Sequence, residues 1–237
     1  MIYANNNKIK GLGGIKRAYL NSTLIFQSFK KDEEVISPYD ITSKYNVTST
    51  TSPTKLYYSG RFYPTEMYVD GEQIDVTSEY TFNTLGEHTV NYVISDKTRI
   101  DNNAFEECSN LISIIIECSV KEIGDYSFWN CNSLSSVTLP SSVEYIRYSA
   151  FESCSKLMSI VIPESVTTIG VSAFRYCSSL KSITCYRTFN PTLEGGSFEG
   201  LPDRGTLHIP QGSDYSTWIS ELATWKVEYI QQLKEAF

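Results

Sequence analysis

The sequence predicts a mainly β chain: a small β-sandwich followed by a solenoid with a 23-residue period and a C-terminal cap. Three observations carry this reading. Ile100, Ile123, Ile146 and Ile169 recur at a fixed interval, each followed in register by Phe105, Phe128, Phe151 and Phe174, then Cys108, Cys131, Cys154 and Cys177, then Leu111, Leu134, Leu157 and Leu180. No copy holds enough apolar residues to close a core alone, so successive copies must bury one another's faces. Before the repeats lie short runs rich in Thr, Ser, Val and Tyr, and after them the period decays into a stretch carrying Trp218 and Trp225.

Residues 1–31 contain a candidate hairpin. Ile15 to Leu20 and Thr23 to Phe26 flank a turn at Asn21-Ser22, with apolar residues alternating on both sides. An isolated two-stranded ribbon is marginal in water, so this one is expected to dock on something larger. Lys8, Lys10, Lys16, Arg17, Lys30 and Lys31 make the segment basic, with no acid among its residues, in a chain of net charge −7. That asymmetry marks an arm with its own partner, and Lys8, Lys10, Lys16, Arg17, Tyr19, Leu24 and Phe26 are its candidate attachment residues. Gly11-Leu12-Gly13-Gly14 lacks the strand, helix and Lys-Ser/Thr ending of a phosphate loop and reads as a joint.

After the charged spacer Lys30 to Glu34, residues 32–98 form the expected sandwich. Strands are placed at Tyr45 to Thr50, Lys55 to Tyr58, Glu66 to Val69, Glu79 to Phe82 and His88 to Ile94. Asp70-Gly71 is a strong tight-turn signal, because both central positions of that turn need positive φ. Tyr80-Thr81-Phe82 followed by Gly86 to Val90 resembles the closing strands of bacterial immunoglobulin-like and PKD-like domains.

Residues 99–237 carry the repeats. Leu134, Val137 and Leu139, like Leu157, Ile160 and Ile162, alternate as the inward side of a strand, and Pro140 and Pro163 end those strands because proline cannot donate to a ladder. A second short extended piece ends at each isoleucine, and a bent segment then drops Ala-Phe into the core. The stretch Ile-x-x-x-Ala-Phe-x-x-Cys-x-x-Leu-x-x-Ile-x-Ile-Pro-x-x-Val, from Ile146 to Val166, resembles the BspA-like (Treponema-type) leucine-rich repeat, over residues 100 to about 230. Glu117, Pro140 and Pro163 stand where the ordinary leucine-rich pattern expects Asn or Cys after the strand, so an asparagine ladder is absent. A partial fifth copy follows at Ser197 to Leu201. Residues 206–237 read as the cap, with a helix through Trp218 and Leu222 opened by Ser213 and Asp214.

Composition bounds the chemistry. The acidic balance argues against general nucleic-acid binding, and no apolar run approaches the ~20 residues of a membrane span. The start at Met1 lacks the charged and apolar regions of a secretory signal. All six cysteines lie between residues 108 and 185, and four of them, Cys108, Cys131, Cys154 and Cys177, form a column whose side chains point one way and cannot converge on a tetrahedral zinc ion. They are expected to be free, packed thiols. His88 and His208 neighbour no nucleophile in a glycine-rich elbow, and adjacent acids such as Glu106-Glu107 point to opposite faces of an extended chain. No cofactor, metal ligand set or catalytic constellation is expected.

Binding has better candidates. The outward columns Ser113, Ser136, Ser159, Ser182 and Ile115, Thr138, Val161, Thr184 form a flat strand face. Positions that break the period are more informative, because the fold does not dictate them. Tyr126, Trp129, Tyr145, Tyr148, Arg175, Tyr176, Tyr186 and Arg187 combine aromatic rings with arginine, the composition of contact surfaces. The expectation is a non-enzymatic structural or binding protein in an oligomeric assembly. Repeats of this kind after an immunoglobulin-like module, with a short N-terminal strand-turn-strand, resemble virion-associated proteins of bacteriophages of gut bacteria. That resemblance implies attachment to other virion proteins through residues 1–31 and a host surface protein or glycan met by the repeats. The alternative is a BspA-like adhesin at the bacterial cell surface, and a glycan-active enzyme is the weakest reading.

Overall fold

The computed structural model describes residues 37–230 throughout and, before them, the backbone of residues 3–4, 7–8, 19–20 and 23–24. Tyr19–Leu20 pairs antiparallel with Thr23–Leu24 across Asn21-Ser22, and Tyr3–Ala4 pairs with Asn7–Lys8. The candidate attachment residues Lys10, Lys16, Arg17 and Phe26, the side chains of Lys8, Tyr19 and Leu24, the glycine joint and the spacer at 30–34 lie outside the described residues.

Alternation builds the first sheet. In Ile41–Val47 the side chains of Ile41, Ser43, Tyr45 and Val47 are buried, while Thr42, Lys44 and Asn46 face outward. Gly86–Ile94 pairs antiparallel with this strand, then Pro64–Val69, then Glu72–Ile74. The last two meet at the expected tight turn, where Asp70 and Gly71 have φ of 50° and 87°. A ribbon of Thr54–Lys55 and Glu79–Tyr80 covers the inner face. It carries the Leu56 carbonyl to the buried Tyr45 hydroxyl, which donates to it at 2.5 Å.

The far edge of this sheet is occupied. Ile41–Val47 also pairs antiparallel with Leu111–Ile116, the first long strand of the repeats, and Ser136–Thr138 lies parallel beyond it. One six-stranded sheet therefore combines strands from both sides of residues 98 and 99, where the sequence suggests a domain boundary. Buried side chains from both sides form one cluster, with the Phe62 ring 4.9 Å from Phe105 and the Tyr92 ring 5.9 Å away. An unpaired edge beside a solenoid end exposes backbone donors and apolar surface together; shared strands bury both.

From Ile100 the chain coils with the 23-residue step through Ile169 and Ser182, and the last strands follow at offsets of 24 and 20 residues. Ser159–Ile162, Ser182–Cys185, Thr206–Pro210 and Lys226–Ile230 form a four-stranded parallel sheet. The two-residue strands Arg99–Ile100, Glu122–Ile123, Tyr145–Ile146, Thr168–Ile169 and Thr192–Leu193 form a second. Between the sheets the phenylalanine column is a stack: Phe105, Phe128, Phe151 and Phe174 lie 5.1–5.3 Å apart and within 5° of parallel. The turn segments bond coil to coil, as in the Phe128 amide donating to Ala150 and the Phe151 amide to Ala173, both at 2.8 Å.

Cysteine supplies the side-chain ladder that asparagine does not. The thiols of Cys131, Cys154 and Cys177 donate to the carbonyls of Phe105, Phe128 and Phe151 at 3.0, 3.2 and 3.1 Å. All six cysteines are free and buried. Burial pushes the thiols up, Cys131 and Cys177 to about 12 and Cys118 to about 11. A neutral, inaccessible thiol is a poor nucleophile. Iodoacetamide at pH 8 should leave the folded protein unmodified and label all six cysteines in denaturant without reductant; a mass showing one bridge would contradict this.

One core position separates two serines. Ala104, Ala150 and Ala173 precede their phenylalanines, and Ser127 and Ser197 hold the same place. The Ser197 hydroxyl donates to Gly170 at 2.9 Å, whereas the buried Ser127 hydroxyl has no partner. Ser127→Ala should therefore stabilise the protein by about 1 kcal/mol and Ser197→Ala should destabilise it by about 1 kcal/mol. Urea midpoints measure both, and equal shifts in one direction would refute the distinction.

At the end, Ser216–Glu221 is a short helix. Asp214 accepts the Ser216 amide at 3.0 Å, but Ser213 turns back to donate to the Pro210 carbonyl and does not cap. Trp225 introduces Lys226–Ile230, a strand parallel to Thr206–Pro210.

Candidate binding surface

The turn segments, opposite in phase to the long strands, carry most of the predicted surface residues. Each coil has two positions in left-handed backbone: Asn103, Tyr126, Ser149 and Ser172 at the first, Glu107, Asn130, Ser153 and Tyr176 at the second, with φ between 49° and 63°. The fifth coil places Gly196 and Gly200 there, the residue such backbone favours. A bulky side chain in this region is unusual. Tyr126 and Tyr176 both hold such positions.

Tyr126, Trp129 and Tyr148 come together. The Tyr126 ring meets Tyr148 at 5.0 Å and 71°, and Trp129 at 6.5 Å and 87°, edge-to-face arrangements that aromatic quadrupoles prefer. A hydrogen bond with Tyr148 and partial desolvation push the Tyr126 phenol up to about 12, with smaller contributions from the Glu152 and Asp125 carboxylates. The backbone fixes the group, since the Tyr126 amide donates to the Tyr148 carbonyl at 2.9 Å and the Tyr148 amide to Asp125 at 3.1 Å.

Arg175 and Tyr176 form a second group further along the same surface. The guanidinium lies 4.4 Å from the Tyr176 ring centroid, donates to its hydroxyl at 2.8 Å and pairs with Glu199 at 3.0 Å and Glu152 at 3.8 Å. The Tyr176 ring covers Gly200, where a Cβ would come within 2.4 Å of it. Tyr145 belongs to the short-strand sheet, with the Arg147 guanidinium 4.6 Å from its ring and held by Glu122 at 2.6 Å. Tyr186 and Arg187 follow Ser182–Cys185 in another phase of the coil. Arg187 donates there to the Glu164 carbonyl at 3.1 Å, and among the described residues no ring contact joins this pair to the other groups.

The sequence reading missed Glu122, Arg147, Glu152 and Glu199, which hold or complete these groups. Their signal lies in the register: Glu106, Trp129, Glu152, Arg175 and Glu199 share one column, so carboxylates alternate with a ring and a cation. The expected strand face is divided between two sheets, with Ser113 beside Ser136 in one and Ser159 beside Ser182 in the other. Its apolar members Ile115 and Val161 are exposed.

The fold and these surfaces define a leucine-rich-repeat solenoid whose core columns are uniform and whose outer positions vary from coil to coil. A family profile, BspA type leucine rich repeat region, matches residues 75–215 in six copies. The chain belongs to that family. The match begins before Ile100, within the residues that share the six-stranded sheet. No curated protein sequence matches the chain. Among solved structures it is similar to a leucine-rich repeat protein from Bacteroides ovatus, at 30% identity and a TM-score of 0.45, with 54% of this chain and 32% of that one covered. A leucine rich cell surface protein from Faecalibacterium prausnitzii aligns at 27% identity and a TM-score of 0.41, covering 51% of this chain and 31% of that one. The leucine-rich repeat protein of T. pallidum aligns at 22% identity and a TM-score of 0.34, covering 55% and 78%. The chain thus spans about a third of the length of the first two.

Proposed function

We propose that the chain is a non-enzymatic binding protein whose repeats meet a protein or glycan partner while residues 1–31 attach it to a larger assembly. The observation that carries the first half is the contrast between columns. Inward Ile, Phe, Cys and Leu repeat without change in four copies, while Tyr126, Trp129, Tyr148, Arg175 and Tyr176 occur once each on a common surface, two of them on backbone that disfavours bulky residues. Such an arrangement costs stability and is understood as surface kept for contact. The basic composition of residues 1–31, set against an acidic remainder, supports the second half, since a short ribbon gains by adding strands to a partner sheet.

As a location, we favour a bacteriophage virion, where the arm binds tail, baseplate or capsid proteins; the family's repeats equally suit a bacterial surface adhesin. Antibody raised against residues 37–230 should label purified phage particles on the first reading and intact bacterial cells on the second. Deleting residues 1–31 should leave the melting transition unchanged and abolish incorporation into the particle. A lowered melting temperature would show instead that the segment completes the core, and the attachment role would be dropped.

A further inference from the structure

Three groups of aromatic rings stand on the turn-side and short-strand surfaces, and the chain furnishes a cation for two of them. Arg147 covers Tyr145 at 4.6 Å and Arg175 covers Tyr176 at 4.4 Å. A carboxylate steers each guanidinium, Glu122 the first and Glu199 the second. The third and largest group, Tyr126 with Trp129 and Tyr148, has no cation over any of its rings among the described residues. Carboxylates are nevertheless in place beside it. Asp125 directly precedes Tyr126 and is bound to the Tyr148 amide. Glu152 follows Trp129 in the same column one coil later, and its ion pair with Arg175 is long, at 3.8 Å. Both carboxylates act on the Tyr126 phenol. The rings are accessible, with Tyr148 43% exposed and Tyr126 and Trp129 half-buried, while the Glu152 side chain beside them is 15% exposed.

We propose that the Tyr126, Trp129 and Tyr148 cluster, with Asp125 and Glu152, is a docking site for a guanidinium or ammonium group on an Arg- or Lys-bearing segment of a partner protein. The proposal rests on the reading of the repeats as a binding surface and names the partner's chemistry. Ring faces carry negative potential and attract cations within about 6 Å of the centroid, and the near-perpendicular planes offer ring faces in more than one direction. The carboxylates add charge complementarity, which sets partner choice and the rate of encounter. A neutral sugar can donate hydroxyls to the two carboxylates but brings no charge to them or to the ring faces, so its binding would not weaken with added salt. Left-handed backbone at Tyr126 fits the same account, because Asn103, Ser149 and Gly196 satisfy that column without an aromatic ring.

Trp129 provides the readout. Trp218 and Trp225 are buried with their indole N–H groups donating to Pro191 and Pro202. The full chain is titrated with acetyl-Gly-Arg-Gly-Arg-Gly-amide, with the same peptide carrying citrulline for arginine, and with cellohexaose, following the Trp129 indole resonance. The arginine peptide should shift it saturably, and added salt should weaken the effect. Citrulline, Tyr148→Ala and Glu152→Gln should each weaken binding, the first two by about tenfold. Glu152→Gln keeps the test open if Tyr148→Ala fails to fold. Equal binding of the citrulline peptide, an unchanged Glu152→Gln, or no shift with the arginine peptide would overturn the proposal. A shift with cellohexaose alone would also overturn it while preserving the binding surface, which separates this failure from failure of the function proposed above.

Discussion

Replacing Trp218 with alanine should destabilise the protein by about 4 kcal/mol, near the upper end for a single truncation. Its ring is fully buried at the end of the core. It stands edge-on to Phe198, the last member of the aromatic column, and to Tyr215, with centroids 5.2 Å away in both cases. The indole N–H donates to the Pro191 carbonyl at 3.2 Å. Alanine would remove the ring from both neighbours, leave that carbonyl unpaired and open the stack from its end. Because each coil of a solenoid is held by its neighbours, damage to the terminal one reaches inward. Trp218→Phe should cost less, about 1–2 kcal/mol, since a ring still meets Phe198 while the hydrogen bond is lost. Urea denaturation measures both, and parental midpoints would mean that the cap does not carry the solenoid's end.

The cap was legible in part. Two tryptophans after a decaying period indicate plugs, and Trp218 and Trp225 are both buried there. Lys226–Ile230 was not legible as a strand, because its five residues pair through backbone with Thr206–Pro210 and alternate too little to announce a sheet. The repeat core was legible almost residue by residue, because a stacked column must repeat whatever it buries. The thiol ladder was less so: the spacing places the cysteines together, but only the coil geometry turns each thiol toward the carbonyl of the Phe one coil earlier. The same reason limits the candidate surface. Non-repeating rings stand out from the period, whereas Glu122, Glu152 and Glu199 are ordinary surface acids until the coil sets them beside Arg147 and Arg175. Tyr186 and Arg187 break the period as clearly as Tyr126 does, yet their phase in the coil puts them away from it.

Phe105→Ala should lower stability by about 3–5 kcal/mol and should do so for residues 37–98 and for the repeats together. Phe105 is fully buried and stacks on Phe128 with centroids 5.3 Å apart and planes 2° from parallel. Its other ring neighbours, Phe62 and Tyr92, come from before Ile100. The backbone repeats this connection, since Ile41–Val47 pairs on one side with Gly86–Ile94 and on the other with Leu111–Ile116. A region sharing strands and ring contacts with the first coil cannot unfold without exposing that coil's edge, so one cooperative transition is expected. The three tryptophans, Trp129, Trp218 and Trp225, all lie in the repeats and cap, so fluorescence reports on that part alone. The His88 ring, buried against Phe82 at 4.5 Å and bonded to Asp70, reports by proton NMR on the earlier residues. Both probes should give one midpoint in the parent and one lower midpoint in Phe105→Ala. Two separated midpoints in the parent, or a variant that moves only the fluorescence transition, would show that residues 37–98 fold as an independent domain.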